Sequence, residues 1–233
     1  MTRTLRILSG GAAHGLVSRL QPAFEKQHDC RIEAGYGAVG AQRDKLLAGA
    51  PCDLLILTQA LITELGALGR AHAQEPGSRA VGVVKTGIAL KDKHAPVIVN
   101  SAEKLHALLQ AAPAIFYPDP AKATAGIHFH QVLQAMGLAG DPSRLKTYPN
   151  GAMAMAALAQ SPEPDAVGCT QVTEILITPG VRLNGTLPPP YELATTYTAA
   201  VVSNAQEPRL AKALLDALTA AAAAETRRKC GFD

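Results

Sequence analysis

The chain has 233 residues, of which 48% are apolar, 18% charged and only 4% aromatic, with no tryptophan. That composition can bury a core without staples and excludes a disordered chain. The formal charge is +3, from 22 basic and 19 acidic residues with no basic run; this excludes a dedicated nucleic-acid partner and leaves room for a local positive site that attracts a small anion.

Residues 4–8 (TLRIL) read as a strand ending in Ser9-Gly10-Gly11, and Leu16, Leu20 and Phe24 then share one helix face. Residues 31–36 (RIEAGY) form a second strand, followed by Gly37-Ala38-Val39-Gly40 and a helix through Leu46 and Leu47. A third, wholly apolar strand covers 52–57 (CDLLIL), and a helix covers 60–68. Residues 81–90 (VGVVKTGIAL) form a long β segment. Ser101 then caps a helix over 102–110. A strand at 114–117 (AIFY) runs into Pro118-Asp119-Pro120, with a helix over 126–136, a short strand at 146–148 and a helix over 152–160. The strand 166–170 (AVGCT) leads to a short helix over 172–176. Pro188-Pro189-Pro190 is a rigid connector, 195–202 (TTYTAAVV) a strand, and 211–229 one closing helix carried by its alanines.

Alternating strands and helices with glycine-rich turns predict an α/β chain with parallel-rich sheets flanked by helices. The last strand and helix return to the first series. The expected lobes are therefore residues 1–83 with 195–233, and 84–194, joined by two crossings with a cleft between them.

In such a layout a ligand faces strand ends and helix starts, where backbone N–H groups favour anions. Four turns qualify. The first is Ser9, Gly10, Gly11, Ala12 and Ala13, leading to His14; the second includes Val39 and Gly40, leading to Arg43. The third is Thr124, Ala125 and Gly126, leading to His128; the fourth is Asn150 and Gly151. Arg43 beside a glycine-rich loop reads either as a solvated surface arginine or as a clamp on a carboxylate. His14 and His128, at two helix starts, read as solvated side chains, as donors to an anion or as acid/base groups. Glu174 reads as a helix-start acid or as a general base.

No metal or cofactor is expected. Cys30, Cys52, Cys169 and Cys230 are too widely spaced for a zinc site, and His128 and His130 lack the i, i+4 spacing of a helical metal pair. No stretch reaches the roughly 20 apolar residues of a membrane span. The opening MTRTLRILSGGA does not read as a secretory leader, since its apolar run is too short. The expected location is the cytoplasm as the chain is written, or the periplasm if a leader has been removed.

The segments AGYGAVGAQRDKLLAGAPCDLLILT, YPDPAKATAGIHFHQVLQAMGL and VGCTQVTEILITPGVRLNGTLPP, with the terminal Gly231-Phe232, resemble the molybdate-binding periplasmic protein family. The resemblance covers nearly the whole chain. It implies the type II periplasmic-binding fold, closing on a small anion, and a substrate-binding protein that serves an ABC permease if exported. In that family, serine hydroxyls from the first two turns and a tyrosine after the fourth strand hold the oxyanion. The matching positions here are Ala12, Val39 or Gly40, and Gln171. In exchange the chain offers His14, Arg43, His128 and Gln171, a bulkier set able to read planar carboxylates. The implied ligand is a small carboxylate or oxyanion. The aconitate-isomerase branch of the same fold implies the alternative, an isomerase of unsaturated polycarboxylates. There His14, His128 or Glu174 would move a proton α to a carboxylate.

Overall fold

The computed structural model describes residues 3–233. From the N-terminus, β1 (Arg3–Gly10) passes through a 3-10 turn (Gly11–Ala13) into α1 (His14–His28), β2 (Cys30–Gly37), α2 (Val39–Leu47), β3 (Leu54–Thr58), α3 (Gln59–Ala67) and the long β4 (Ser78–Lys91). Next come α4 (Ala102–Ala111), β5 (Ile115–Pro118), α5 (Thr124–Ala135), β6 (Leu145–Tyr148), α6 (Gly151–Gln160), β7 (Val167–Gln171) and the short α7 (Val172–Leu176). The chain closes with β8 (Val181–Thr186), β9 (Ala194–Val201), α8 (Pro208–Thr219), a 3-10 turn (Ala221–Ala223) and α9 (Ala224–Lys229). It divides into two compact units. Unit 1 takes the chain up to Val84 together with Thr195–Asp233, and unit 2 takes Lys85–Ala194.

In unit 1 the strands run in the order β2-β1-β3-β9. β1 is parallel to β2 and β3, while the returning β9 pairs antiparallel with β3. Every residue of β3 (LLILT) is buried, as expected of a central strand covered on both faces. Helix α8 lays Leu210, Ala211, Leu214, Leu215 and Leu218 against this core, joined by Leu16, Val17 and Phe24 of α1. Just before β3 stands Asp53, 1% exposed. Its carboxylate accepts the N–H groups of Arg6 (2.8 Å), Gln206 (2.7 Å) and Glu207 (3.0 Å), tying β1 to the lead-in of α8. The strand read over 52–57 spans Leu54–Thr58.

In unit 2 the second half of β4 pairs antiparallel with β7 and β8; β5 lies parallel to both β7 and β6. Along β5 the period of two divides the core: Ile115 and Tyr117 join Leu105, Leu109, Phe129 and Leu133 on one side, and Phe116 joins Ala154, Met155 and Leu158 on the other.

The α/β class with helix-flanked, parallel-rich sheets is therefore what the structure shows, with antiparallel pairing where β4 and β9 enter. Two elements differ from the sequence reading. β8 was not foreseen, because its residues RLNGT alternate weakly and stay half-exposed at an edge. The single helix expected over 211–229 is broken. α8 stops at Thr219 and Ala220 turns extended, with ψ 148°. Arg227 donates to Leu218 O and Ala220 O, both at 2.9 Å, in the place of the next turn's N–H groups. The corner carries Cys230 and Phe232 back into the unit 1 core, a burial that outweighs alanine's helix propensity.

Candidate functional site

In unit 1, α1 is entered through three buried small residues, Gly11, Ala12 and Ala13, and no side chain caps it. Ser9 is fully buried, and its hydroxyl donates to Gly10 O (2.8 Å). His14 stacks on Tyr36, with ring centroids 4.2 Å apart and planes at 28°. Burial lowers the imidazole below its ordinary pKa of 6.5, so at neutral pH it offers one N–H donor and one acceptor. Burial pushes the Tyr36 phenol up to about 12, against a smaller opposing pull from the Ser18 hydroxyl.

Helix α2 also starts bare: Ala38 stands at the cap position and no acid occupies the first turn. Its first residue, Val39, packs on the end of β1. A Cβ at Gly10 would sit 2.7 Å from Val39 Cγ1 and 3.0 Å from Tyr197 Cε1. Glycine is what lets these two turns close on each other. Gln42, 1% exposed, folds its amide over Gly37, and its Oε1 meets no donor among the described residues. Arg43 is placed elsewhere. Its guanidinium donates to Asp44 Oδ1 at 2.8 and 3.2 Å and pairs with Glu64 at 3.5 Å on the half-exposed face of the helix.

In unit 2, α5 is the third bare start. Ala123 stands at its cap, no acid lies in the first turn, and Ala125 and Gly126 are buried. Asp119 Oδ1 already accepts from Ala121 N (2.6 Å) and Lys122 N (3.2 Å) ahead of the helix. A Cβ at Gly126 would overlap Pro118 O and Asp119 O, so the helix start seats directly on the end of β5. Two histidines follow within one turn: His128 Nε2 donates to Tyr191 O (2.8 Å), and His130 Nδ1 pairs with Tyr117 Oη (3.0 Å).

Three other helices carry caps, while α8 opens on Pro208 with no side-chain cap. Thr58 caps α3, Ser101 caps α4, and Asn150 caps α6 by accepting from Met153 N (2.9 Å). α6 also holds a resident carboxylate. Glu174, 5% exposed, accepts the hydroxyl of Thr170 (2.6 Å) and backbone N–H groups of Ala152, Gln171 and Gly151. Burial holds its pKa above the ordinary 4.5, and these donors offset part of that rise. A Cβ at Gly151 would overlap Glu174 Oε2 and Thr170 Oγ1. Of the two residues read from the sequence as ligand contacts here, Asn150 caps α6 and Gly151 lies against the chain's own carboxylate.

Gln171 closes β7 at 3% exposure, and neither end of its amide finds a partner among the described residues. Thr86 faces it across the β4–β7 ladder, and Thr173 follows on α7; the hydroxyls of both are buried without a partner. The sequence reading passed over Thr86, Thr173, Tyr36 and Gln42. A lone threonine inside the apolar run VGVVKTGIAL was the available signal for Thr86. Among the described residues no group of three or more His, Cys, Asp or Glu side chains is placed to hold a metal ion, and no helix is long and apolar enough to cross a membrane.

Residues 5–233 match the family model described as bacterial extracellular solute-binding protein. The chain belongs to that family. Aconitate isomerase from Pseudomonas sp is 24% identical to this solute-binding protein over 236 residues, 98% of this chain and 87% of that one. The periplasmic molybdate-binding protein of Azotobacter vinelandii superposes with a TM-score of 0.80 at 18% identity, covering 98% of each chain. The sulfate-binding protein SubI of Mycobacterium tuberculosis H37Rv gives 0.76 at 17%, covering 99% of this chain and 86% of that one. The family model thus shows a solute-binding family, and the likeness to a periplasmic molybdate binder shows a shared fold. Identities this low carry no ligand across.

Proposed function

We propose that this solute-binding protein is a receptor for a small anionic solute, a carboxylate or oxyanion, which it delivers to an ABC permease when exported. One observation carries the reading. The chain caps α3, α4 and α6 with its own side chains and opens α8 on Pro208, which has no N–H to satisfy, but leaves the starts of α1, α2 and α5 bare, with buried small residues around them. Uncapped first-turn N–H groups at the positive end of a helix are donors in want of an anion. In unit 1 the donors are the starts of α1 and α2, with Ser9, Gly10, Gly11, Ala12, Ala13, Val39 and Gly40 shaping the turns and neutral His14 adding an N–H. In unit 2 they are the start of α5 at Thr124, Ala125 and Gly126, with Gln171 adding an amide. Arg43 would reach the anion only by leaving Asp44 and Glu64, which hold its guanidinium and cancel its charge. The oxyanion receptors among the structural neighbours, and substrate-binding domains from ABC transporters with the same fold, support both the ligand class and the permease.

The test is a thermal-shift and calorimetric panel of molybdate, tungstate, sulfate, phosphate and di- and tricarboxylates. A ligand at 100 times its dissociation constant adds about 2.7 kcal/mol of stability. Silence across the whole panel sinks the reading.

A second reading, isomerisation of unsaturated polycarboxylates, is favoured by the likeness to aconitate isomerase along 98% of the chain. His14, kept neutral by burial, is the candidate base for it. His128 has one ring nitrogen held by Tyr191 O, and Glu174 is enclosed by its own donors. Turnover of cis- or trans-aconitate that is lost in His14→Ala with ligand affinity retained would establish this reading over simple binding.

A further inference from the structure

Among the buried polar atoms without a partner, those on β4, β7 and the start of α7 specify the ligand further. Gln171 is buried at the end of β7 with both Oε1 and Nε2 unpartnered among the described residues. Turning the amide over leaves the same two needs, so the conclusion does not depend on which end is oxygen. Thr86 is its direct partner in the antiparallel β4–β7 register, so the two side chains leave the same face of the sheet. The backbone of Thr86 is satisfied, its N–H by Leu193 O (3.0 Å) and its carbonyl by Leu187 N (3.1 Å). Its hydroxyl, on a residue 1% exposed, is left over. Thr173, 2% exposed, leaves a third unpartnered hydroxyl two residues beyond Gln171. Thr86 also borders a cavity of about 310 Å³, shared with Lys85, Thr186 and Glu192. The nearby charged group, Glu174, is already turned onto Thr170 and the start of α6.

Buried amides and hydroxyls are normally paired, because each unmade bond carries a desolvation cost. What would pair these is defined by their chemistry. A glutamine Oε1 accepts and needs a donor; its Nε2 donates and needs an acceptor. A fully deprotonated tetrahedral oxyanion has acceptors only and leaves Oε1 unmet. A carboxylate that also carries a hydroxyl supplies both.

We propose that Gln171, with Thr86 and Thr173, reads a hydroxyl group on the ligand, so that the solute is a small hydroxy-carboxylate rather than a fully deprotonated oxyanion. The proposal rests on the receptor reading: the bare start of α5 takes the carboxylate, and the neutral group of the same unit takes the hydroxyl.

Calorimetric titration of the full chain with matched pairs tests it: D- and L-malate against succinate, and citrate against propane-1,2,3-tricarboxylate, with molybdate and sulfate alongside. At least one hydroxylated member is expected to bind about 10- to 100-fold more tightly than its deoxy partner. Gln171→Leu brings that ratio close to one, and Thr86→Val lowers the hydroxylated affinity by about tenfold. Thr86→Val preserves side-chain shape and serves if Gln171→Leu fails to fold. Equal binding within each pair overturns the inference and leaves the receptor reading standing, as does tightest binding of molybdate or sulfate. A hydroxyl preference that survives both variants overturns it too. No binding by any anion brings down both.

Discussion

At the scale of single residues, Glu174 and Gly151 form a lock whose parts cannot be changed independently. The Glu174 carboxylate sits where a Cβ on Gly151 would be, and holds Thr170 and three backbone N–H groups. Gly151→Ala is therefore expected to cost about 3 kcal/mol in a urea melt, at the upper end for overpacking. Gly37→Ala should cost less, because its Cβ would meet only the end of the Gln42 amide, at 2.5 Å. Equal costs would show that the carboxylate can step aside. The acid also sets a pH dependence. Burial raises its folded pKa above 4.5, so its contribution to stability is complete below that value and is lost as pH rises through the folded pKa. Glu174→Gln, neutral at every pH, should gain on the parent in urea midpoint as pH rises above 4.5; a difference flat with pH contradicts this. The sequence exposed Glu174 only as an acid at a helix start. Its position over Gly151 is a tertiary contact between α6 and α7, and local spacing carries no trace of that.

At the scale of elements, the contrast between capped and bare helix starts is the feature most open to manipulation. Ala38 and Ala123 have the extended backbone of an N-cap but no oxygen to offer. Ala38→Ser and Ala123→Ser should each add about 0.5–1 kcal/mol to stability, because a serine oxygen pairs a first-turn N–H. Each should also weaken anion binding several-fold, because it fills the place the anion takes. Ser101→Ala on α4 should lose about 1 kcal/mol and leave binding untouched. Urea melts read with calorimetry separate the two effects, and unchanged affinity in both serine variants would remove these helix starts from the site. This pattern was partly legible beforehand. Glycine-rich turns marked all four candidate starts, and Ser101 was visible as a cap. That α6 differs from α5 was not, since its second cap comes from a glutamate more than twenty residues further along the chain. The same limit hid the break at Ala220: alanine propensity favours one helix, while Arg227 and the burial of Phe232 decide for two.

At the scale of the whole chain, the four cysteines report on the two units separately. All are free and buried; Cys30, Cys52 and Cys230 belong to the core of unit 1, and Cys169 to that of unit 2. Burial pushes the Cys52 thiol up to about 12 and the Cys169 thiol well above its ordinary value. Neither forms a reactive thiolate until its surroundings open. The core clusters of the two units share no residue, and the chain passes between the units only at Val84–Lys85 and Ala194–Thr195. A chain with separate cores has no obligation to unfold in one step. Pulsed alkylation along a urea gradient, read site by site by mass, should therefore give Cys169 its own midpoint, distinct from one shared by Cys30, Cys52 and Cys230. Four coincident midpoints would mean that β4, which continues from one unit into the other, couples them into a single cooperative block. The same measurement localises the ligand. An anion held by the starts of α1 and α2 raises the unit 1 midpoint, and one held by α5 raises that of Cys169, each by the increment its occupancy sets. A ligand that moves the unit 1 thiols and leaves Cys169 unshifted would take α5 out of the site while keeping α1 and α2 in it.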